Sequence, residues 1–183
     1  HMLMGKFYGN DKGDNAFGGR MTAFTSNPME YAEASKVALY GVADYSWNMK
    51  DYDPEANWER AIRYLMPTNV DAFHVFCEHN VDLGVTVHGM RREGESPNFN
   101  AKPQELREQF DLMVHSADAL LADTYNPALI TEITPWLQKM KYMGQRGQKM
   151  VEMWACIENG DTEKFLQDYR DIKELLAKED ALI

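Results

Sequence analysis

The chain has 183 residues, enough for one domain with a core of its own, or for one domain and a tail. Its formal net charge of −10 argues against a nucleic-acid partner, and no stretch approaches the run of about 20 apolar residues that a membrane helix needs. No signal peptide is recognisable, and His1-Met2 resembles a cloning remnant before an internal segment. These features favour a soluble protein and leave its compartment open.

The first predicted helix covers Asn27 to Trp47. Asn27 fits the N-cap and Pro28 the first helical position. The middle of the helix, 37–43, is apolar almost all round, which predicts a helix covered on more than one side. Gly41 costs about 1 kcal/mol relative to alanine there, which indicates a close packing partner.

Two shorter helices are predicted next. Asp53-Pro54 supplies an N-cap and a first helical position for the second helix, which Pro67 ends. The third is expected over about 70–78. Their inward residues are apolar and recur at helical spacing: Trp58, Ile62 and Leu65, then Phe73, Phe76 and Cys77. Residues 79–103, broken by glycines and prolines, predict a long connection, and such loops are usually functional or disordered.

The fourth predicted helix, about 103–123, has the clearest apolar periodicity in the sequence. Its stripe consists of Leu106, Phe110, Met113, Ala117 and Leu120. Asn126-Pro127 then restarts the chain, and Pro135 either kinks the next element or begins a new helix.

Beyond Pro135 the pattern predicts a second long stripe and a last helix. The stripe consists of Leu137, Met140, Gly144, Gly147, Val151 and Trp154, and its two glycines predict close approach of another helix. Gly160 is a C-cap signal, and Asp161 caps a helix whose inward face would carry Phe165, Tyr169, Ile172 and Leu176. The whole pattern predicts an all-α antiparallel helical bundle of about five to six helices.

Three parts of the sequence carry a family resemblance: SNPMEYAEASKVALYGVADYSWN, YDPEANWERAI, and HNVDLG with the later HGMRRE. Together they resemble glycoside hydrolase family 84, which contains O-GlcNAcases and bacterial hyaluronidase-type β-N-acetylglucosaminidases, over about residues 20–175. In that family this region follows a catalytic (β/α)8 barrel. The resemblance implies that 1–26 is a poorly ordered remnant of the barrel end, 27–178 the post-catalytic helical bundle and 179–183 a tail.

The resemblance also implies a chemistry. In the family, the substrate's own acetamide attacks with retention of configuration, and two consecutive aspartates of the barrel do the acid/base work. The adjacent acids of this chain, Glu179-Asp180, are expected to be solvated surface charges. The chain is therefore expected to contain no catalytic residue and to hydrolyse nothing alone. Its expected partners are its own barrel, outside this chain, and a glycan or glycoprotein containing N-acetylglucosamine, in a periplasmic or secreted enzyme.

Two residues are candidates for substrate binding by this resemblance. Asn27, in the family's NP junction, would point into the sugar pocket and hydrogen-bond ring hydroxyls. The alternative is that Asn27 only caps the first helix. His88, in VHGMRRE, would lie near the leaving-group side of the pocket, and the alternative is an exposed loop histidine.

No metal or cofactor is expected. The possible ligands around His74 lie on one helix, and no second set, HExxH motif or cysteine cluster accompanies them. Cys77 and Cys156 lie far apart and are expected as small buried residues, with a disulfide left open.

A second interpretation belongs to a different class, an autonomous helical interaction or dimerisation module without a catalytic role. The first helix distinguishes the two. If it covers a barrel, the chain alone should expose a large apolar patch and self-associate. An autonomous module would be a monomer or a defined dimer with a polar exterior.

Overall fold

The computed structural model describes residues 25–26, 30–47, 51–83 and 103–182, without the side chains of 80–83. These residues form six helices: α1 Ala32–Trp47, α2 Pro54–Leu65, α3 Val70–Leu83, α4 Pro103–Leu121, α5 Pro127–Asn159 and α6 Thr162–Asp180. No strand occurs among them, and the all-α prediction is confirmed. In the same residues, every helix is too short or too polar to cross a membrane.

α4 and α5 run antiparallel. Arg107, near the start of α4, pairs with Glu152 near the end of α5 at 3.2 Å. Asp118, near the end of α4, pairs instead with Lys141 at 2.6 Å, earlier in α5. A left-handed Gly160 (φ 71°) turns the chain from α5 into α6, as predicted, because glycine adopts this conformation without a steric penalty.

One apolar core joins α1 to α5. The largest of its fully buried side chains are Val37, Ile62, Met66, Phe73, Phe76, Leu120, Leu129, Leu137 and Met140. The inward residues predicted for α2 and α3 all belong to this core. Cys77 and Cys156 are both buried and unpaired, and burial raises the pKa of the Cys77 thiol above its usual range.

The position of Pro135 resolves an alternative that the sequence left open. It lies inside α5, which continues from Pro127 to Asn159 as one helix. The Thr134 hydroxyl donates to the Ile130 carbonyl at 2.6 Å in the turn before the proline. Asn126 caps this helix by accepting from the Leu129 N–H at 3.2 Å.

Two other helix ends differ from their predictions. α3 continues to Leu83, five residues past the predicted end, so the undescribed part of the connection is 84–102. α6 continues to Asp180, inside the stretch predicted as a tail. The predicted division of the chain at 26 and 178 itself stays a prediction.

The described residues cover α1 along one side, so the predicted cover on more than one side stays a prediction. Val37, Gly41 and Tyr45 are buried, and α1 contacts α2 and α5. Ala43 and Trp47 face solvent, the latter with 91% of its surface exposed. Within the described residues, α1 is therefore covered by its own chain along one stripe.

The inward face predicted for α6 is wrong in part. Tyr169 is 49% exposed, whereas Asp168 and Glu179 are buried. The reason is electrostatic, since Arg146 and Lys149 of α5 supply partners that let carboxylates occupy the interface. Glu179, expected to be a solvated charge, accepts from Arg146 Nε at 2.8 Å and from Nη2 at 3.3 Å.

Asp168 is held between two lysines. Lys149 Nζ lies 2.9 Å from its Oδ1 and Lys164 Nζ lies 3.0 Å from its Oδ2. Burial raises the pKa of Asp168, but hydrogen bonds from Lys149 and Lys164 outweigh burial and lower the pKa below its ordinary value. The same balance lowers the pKa of Glu152, which contacts both lysines. Both carboxylates are therefore charged partners in the native helix pair.

We expect this cluster to make stability depend on acid. The lowered pKa means that Asp168 stabilises the fold fully above about pH 4, the ordinary unfolded value, and less as pH falls through the folded pKa. Asp168→Asn should cost about 1 kcal/mol near pH 7, a modest value because both lysines are partly exposed. Urea unfolding near pH 7 and near pH 3 measures both effects.

The control is Glu174→Gln, which changes the same charge at an exposed position of α6. The loss caused by Asp168→Asn should shrink in acid, whereas Glu174→Gln should change little at either pH. An Asp168→Asn variant with the full acid sensitivity of the unmodified chain would contradict the assignment.

Candidate functional site

Both residues predicted to bind substrate, Asn27 and His88, lie outside the described residues. The structure therefore brings neither of them to a site. It does describe the chain from Glu30, three residues after Asn27, through the first turn of α1. These residues are the part of the candidate site whose contacts the structure describes.

α1 begins at Ala32, five residues after Asn27, so the prediction that Asn27 caps it is wrong. The carbonyl of Tyr31 accepts the first helical hydrogen bond, from the Ser35 N–H at 2.9 Å. The other capped helices, α2, α5 and α6, each use the side chain directly before them. α1 is capped from elsewhere in the chain.

That cap is Glu132 of α5. Its Oε1 accepts from the Ala34 N–H at 2.8 Å, and its Oε2 accepts from the Glu33 N–H at 3.1 Å. The first N–H groups of a helix have no partner within the helix, and a carboxylate also interacts favourably with the positive end of the helix dipole. Glu132 lies 99 residues after Glu33, so no local pattern could have revealed this cap.

Trp136, one turn after Glu132, makes a second contact to the same segment. Its ring meets the edge of Tyr31 with centroids 4.7 Å apart and planes at 81°, a favourable aromatic geometry. Trp136 and Ala34 also pack against the core. We call Glu132 and Trp136, with the residues 31–34 that they contact, the α1 anchor.

The Tyr31 phenol stays protonated in this environment. Its pKa is raised by a hydrogen bond with Glu30, by burial and by the charges of Glu30 and Glu132. The phenol therefore remains a neutral hydrogen-bond donor across the physiological range.

A separate polar contact holds the other end of α1. Asp44 Oδ2 accepts from Asn57 Nδ2 and from Arg60 Nη2, both at 2.8 Å. Asn57 is buried, so its amide depends on this partner. The two ends of α1 are thus attached to different helices, the start to α5 and the end to α2.

The titratable side chains that the sequence analysis considered as ligands or acids lie in contacts between helices. They contain no group of three His, Cys, Asp or Glu side chains placed to hold a metal ion. His74 lies with Nε2 3.2 Å from Glu59 Oε1, a contact between α3 and α2. Glu179, the first of the two adjacent acids near the end of the chain, forms an ion pair with Arg146. Near the start of α1, the contacts from Glu132 and Trp136 attach residues 31–34 to α5.

Comparison with known proteins finds matches over most of the chain. Residues 1–78 match a family model described as beta-N-acetylglucosaminidase, and residues 88–180 match one described as bacterial GH84, post-catalytic domain. Among solved structures, CpGH84B is similar at 26% identity and a TM-score of 0.70, over 85% of this chain and 29% of its own. CpGH84D has the same fold at 19% identity and a TM-score of 0.66, over 81% of this chain and 28% of its own.

The chain thus spans less than a third of the length of each of these two structures. The second model alone covers just over half of this chain, and the helical fold agrees with its description. On these grounds the chain belongs to glycoside hydrolase family 84 and includes the post-catalytic helical domain of the bacterial members.

Proposed function

We propose that this chain is part of a retaining β-N-acetylglucosaminidase, in which it buttresses the catalytic barrel and forms one wall of the sugar pocket. The observation that carries the proposal is the order of the two matches, a beta-N-acetylglucosaminidase model followed by a post-catalytic domain model. The similarity to CpGH84B over 85% of the chain supports it. The acid/base pair would belong to the barrel, and the substrate's acetamide would be the nucleophile.

In this proposal Asn27 and His88 are the residues that meet the sugar. The α1 anchor supports the role of Asn27, because Glu132 fills the capping function that competed with sugar binding. Asn27 precedes Tyr31 by only four residues, so the anchor limits how far it can move from α5. The proposed role of His88 rests on the resemblance of its loop to the family.

The proposal is tested in the full-length enzyme with Asn27→Ala. Losing a hydrogen bond to a ring hydroxyl should lower kcat/KM about tenfold, since 1.4 kcal/mol corresponds to one factor of ten. Hydrolysis of an N-acetylglucosaminide measures this, and thermal unfolding should show an unchanged bundle. Asn159→Ala, at an exposed end of α5, is the matched control.

The chain alone should show no turnover of the same substrate. Unchanged kcat/KM in Asn27→Ala would remove this residue from the pocket. Measurable hydrolysis by the chain alone would contradict the location of the catalytic acids.

A second candidate function, a helical interaction or dimerisation module, is favoured by one observation. Among the described helices, α6 packs on α5 alone, and three of its large apolar side chains are substantially exposed. They are Leu166, Tyr169 and Leu176. Sedimentation of the chain distinguishes the two functions. A defined dimer that Leu166→Ser and Tyr169→Ser abolish would favour the interaction module. A monomer would exclude dimerisation as the role of the chain.

A further inference from the structure

We propose that α4 and α5 complete the folding of the helices before them, so that α1 to α5 form one cooperative unit and α6 lies outside it. This unit crosses the boundary between the two family models, since the beta-N-acetylglucosaminidase model ends at residue 78 and the post-catalytic model begins at residue 88. α1, α2 and most of α3 belong to the first region, and α4 to α6 belong to the second. The inference deepens the proposed function and rests on it for the catalytic role of the first region, which would then require the post-catalytic helices in order to fold.

The apolar core contains side chains from both regions. The first region supplies Val37, Trp58, Ile62, Leu65, Met66, Phe73, Phe76 and Cys77. The second region supplies Met113, Ala117, Leu120, Leu129, Ile130, Ile133, Leu137 and Met140. Each of these side chains is at most 8% exposed. If the regions separated, each would present its apolar side chains to water, a surface that monomeric proteins rarely expose.

Polar groups of the first region also have their partners in the second. Thr68 Oγ1 donates to Asp123 Oδ2 at 2.7 Å, and Asn69 Nδ2 donates to the same oxygen. These bonds join the connection between α2 and α3 to the connection between α4 and α5. Glu132 accepts from two N–H groups of the first turn of α1. Separating the regions would therefore remove hydrogen-bond partners as well as apolar contacts.

α6 is attached in a different way. No residue of α6 belongs to the described core, and among the described helices α6 contacts α5 alone. Its buried side chains are Asp168 and Glu179, which pair with Lys149 and Arg146 of α5. Local opening requires the least free energy where few buried apolar contacts are lost. We therefore expect α6 to open while α1 to α5 stay folded.

Native-state hydrogen exchange of this chain tests the inference with a matched pair of variants. Ile62→Val lies in α2 of the first region and Ile133→Val in α5 of the second, and both residues are at most 2% exposed. Loss of one buried methylene group corresponds to about a fivefold change in the unfolding equilibrium. Each variant should therefore lower the protection of the amides in both α3 and α5 about fivefold. The amides of α6 should stay within twofold, because their opening leaves both isoleucines buried.

Two results would overturn the inference. If each variant lowers protection only in the helices of its own region, the two regions open independently. If the α6 amides lose protection as much as those of α3, α6 belongs to the same unit. The exchange measurement requires no catalytic activity. A full-length enzyme that fails to hydrolyse N-acetylglucosaminides would therefore remove the proposed function and leave the outcome for the cooperative unit unchanged.

Discussion

Replacing Phe76 with alanine is expected to lower the free energy of unfolding of this chain by about 3–5 kcal/mol, the range for a fully buried phenylalanine. Phe76 is 1% exposed and packs beside Phe73 with ring centroids 6.1 Å apart and planes at 13°. Both rings belong to the core shared by α1 to α5, so the surrounding helices cannot close on the cavity without moving one another. Urea denaturation of the chain measures the change.

The matched control for Phe76→Ala is Leu112→Ala, on α4. Leu112 is apolar and helical but 52% exposed, and its truncation should change stability by less than about 1 kcal/mol. The dependence of unfolding free energy on urea should be the same in both variants, since neither alters the surface exposed on unfolding greatly. A loss below about 1 kcal/mol for Phe76→Ala would mean that the helices do not share one cooperative core.

The sequence alone was sufficient where the determining contact is local. Asp53 caps α2 by accepting from the Ala56 N–H at 3.1 Å, three residues away, and Gly160 ends α5 in the left-handed conformation. The apolar stripes of α2 and α3 lie in the core because side chains at helical spacing share one face of a helix, and that face is buried. Each of these features is decided within about one helical turn.

The sequence was insufficient where partners come from distant residues. The cap of α1 comes from Glu132, and the burial of Asp168 depends on a lysine 19 residues earlier as well as on one in its own helix. Apolar spacing alone therefore predicts Tyr169 in the core. The ion pairs instead place a different face of α6 against α5, and Tyr169 is exposed. Long-range pairs of this kind leave no periodic signal.

The residues of the candidate site also differ in how they could be recognised. Asn27 and His88 were identified through resemblance to a family, and neither carries a local pattern that points to sugar binding. Glu132 escaped sequence reasoning altogether, because a lone glutamate in a helix is usually a solvent-facing residue. Only its two contacts to the backbone of α1 give it a role.

Gly147→Ala is expected to destabilise the chain by about 2 kcal/mol, because overpacking outweighs the better helix propensity of alanine. A Cβ at this position would lie 2.3–2.4 Å from three atoms of the Phe110 ring, far inside van der Waals contact. The glycine therefore permits α4 and α5 to approach, as the sequence predicted. The sign of the effect on stability therefore depends on the Phe110 ring.

Removing the ring should reverse that sign. In a Phe110→Ala background, Gly147→Ala should stabilise the chain by about 0.5–1 kcal/mol, the gain in helix propensity once the clash is absent. Gly144→Ala is the control, because its Cβ would lie 2.9 Å from the Phe110 carbonyl oxygen and 2.8 Å from Val114 Cγ2. Neither atom leaves with the Phe110 ring, so Gly144→Ala should destabilise both backgrounds. Urea unfolding gives the free energy of unfolding of each variant. If Gly147→Ala still destabilises the chain without the ring, something other than Phe110 sets the distance between α4 and α5.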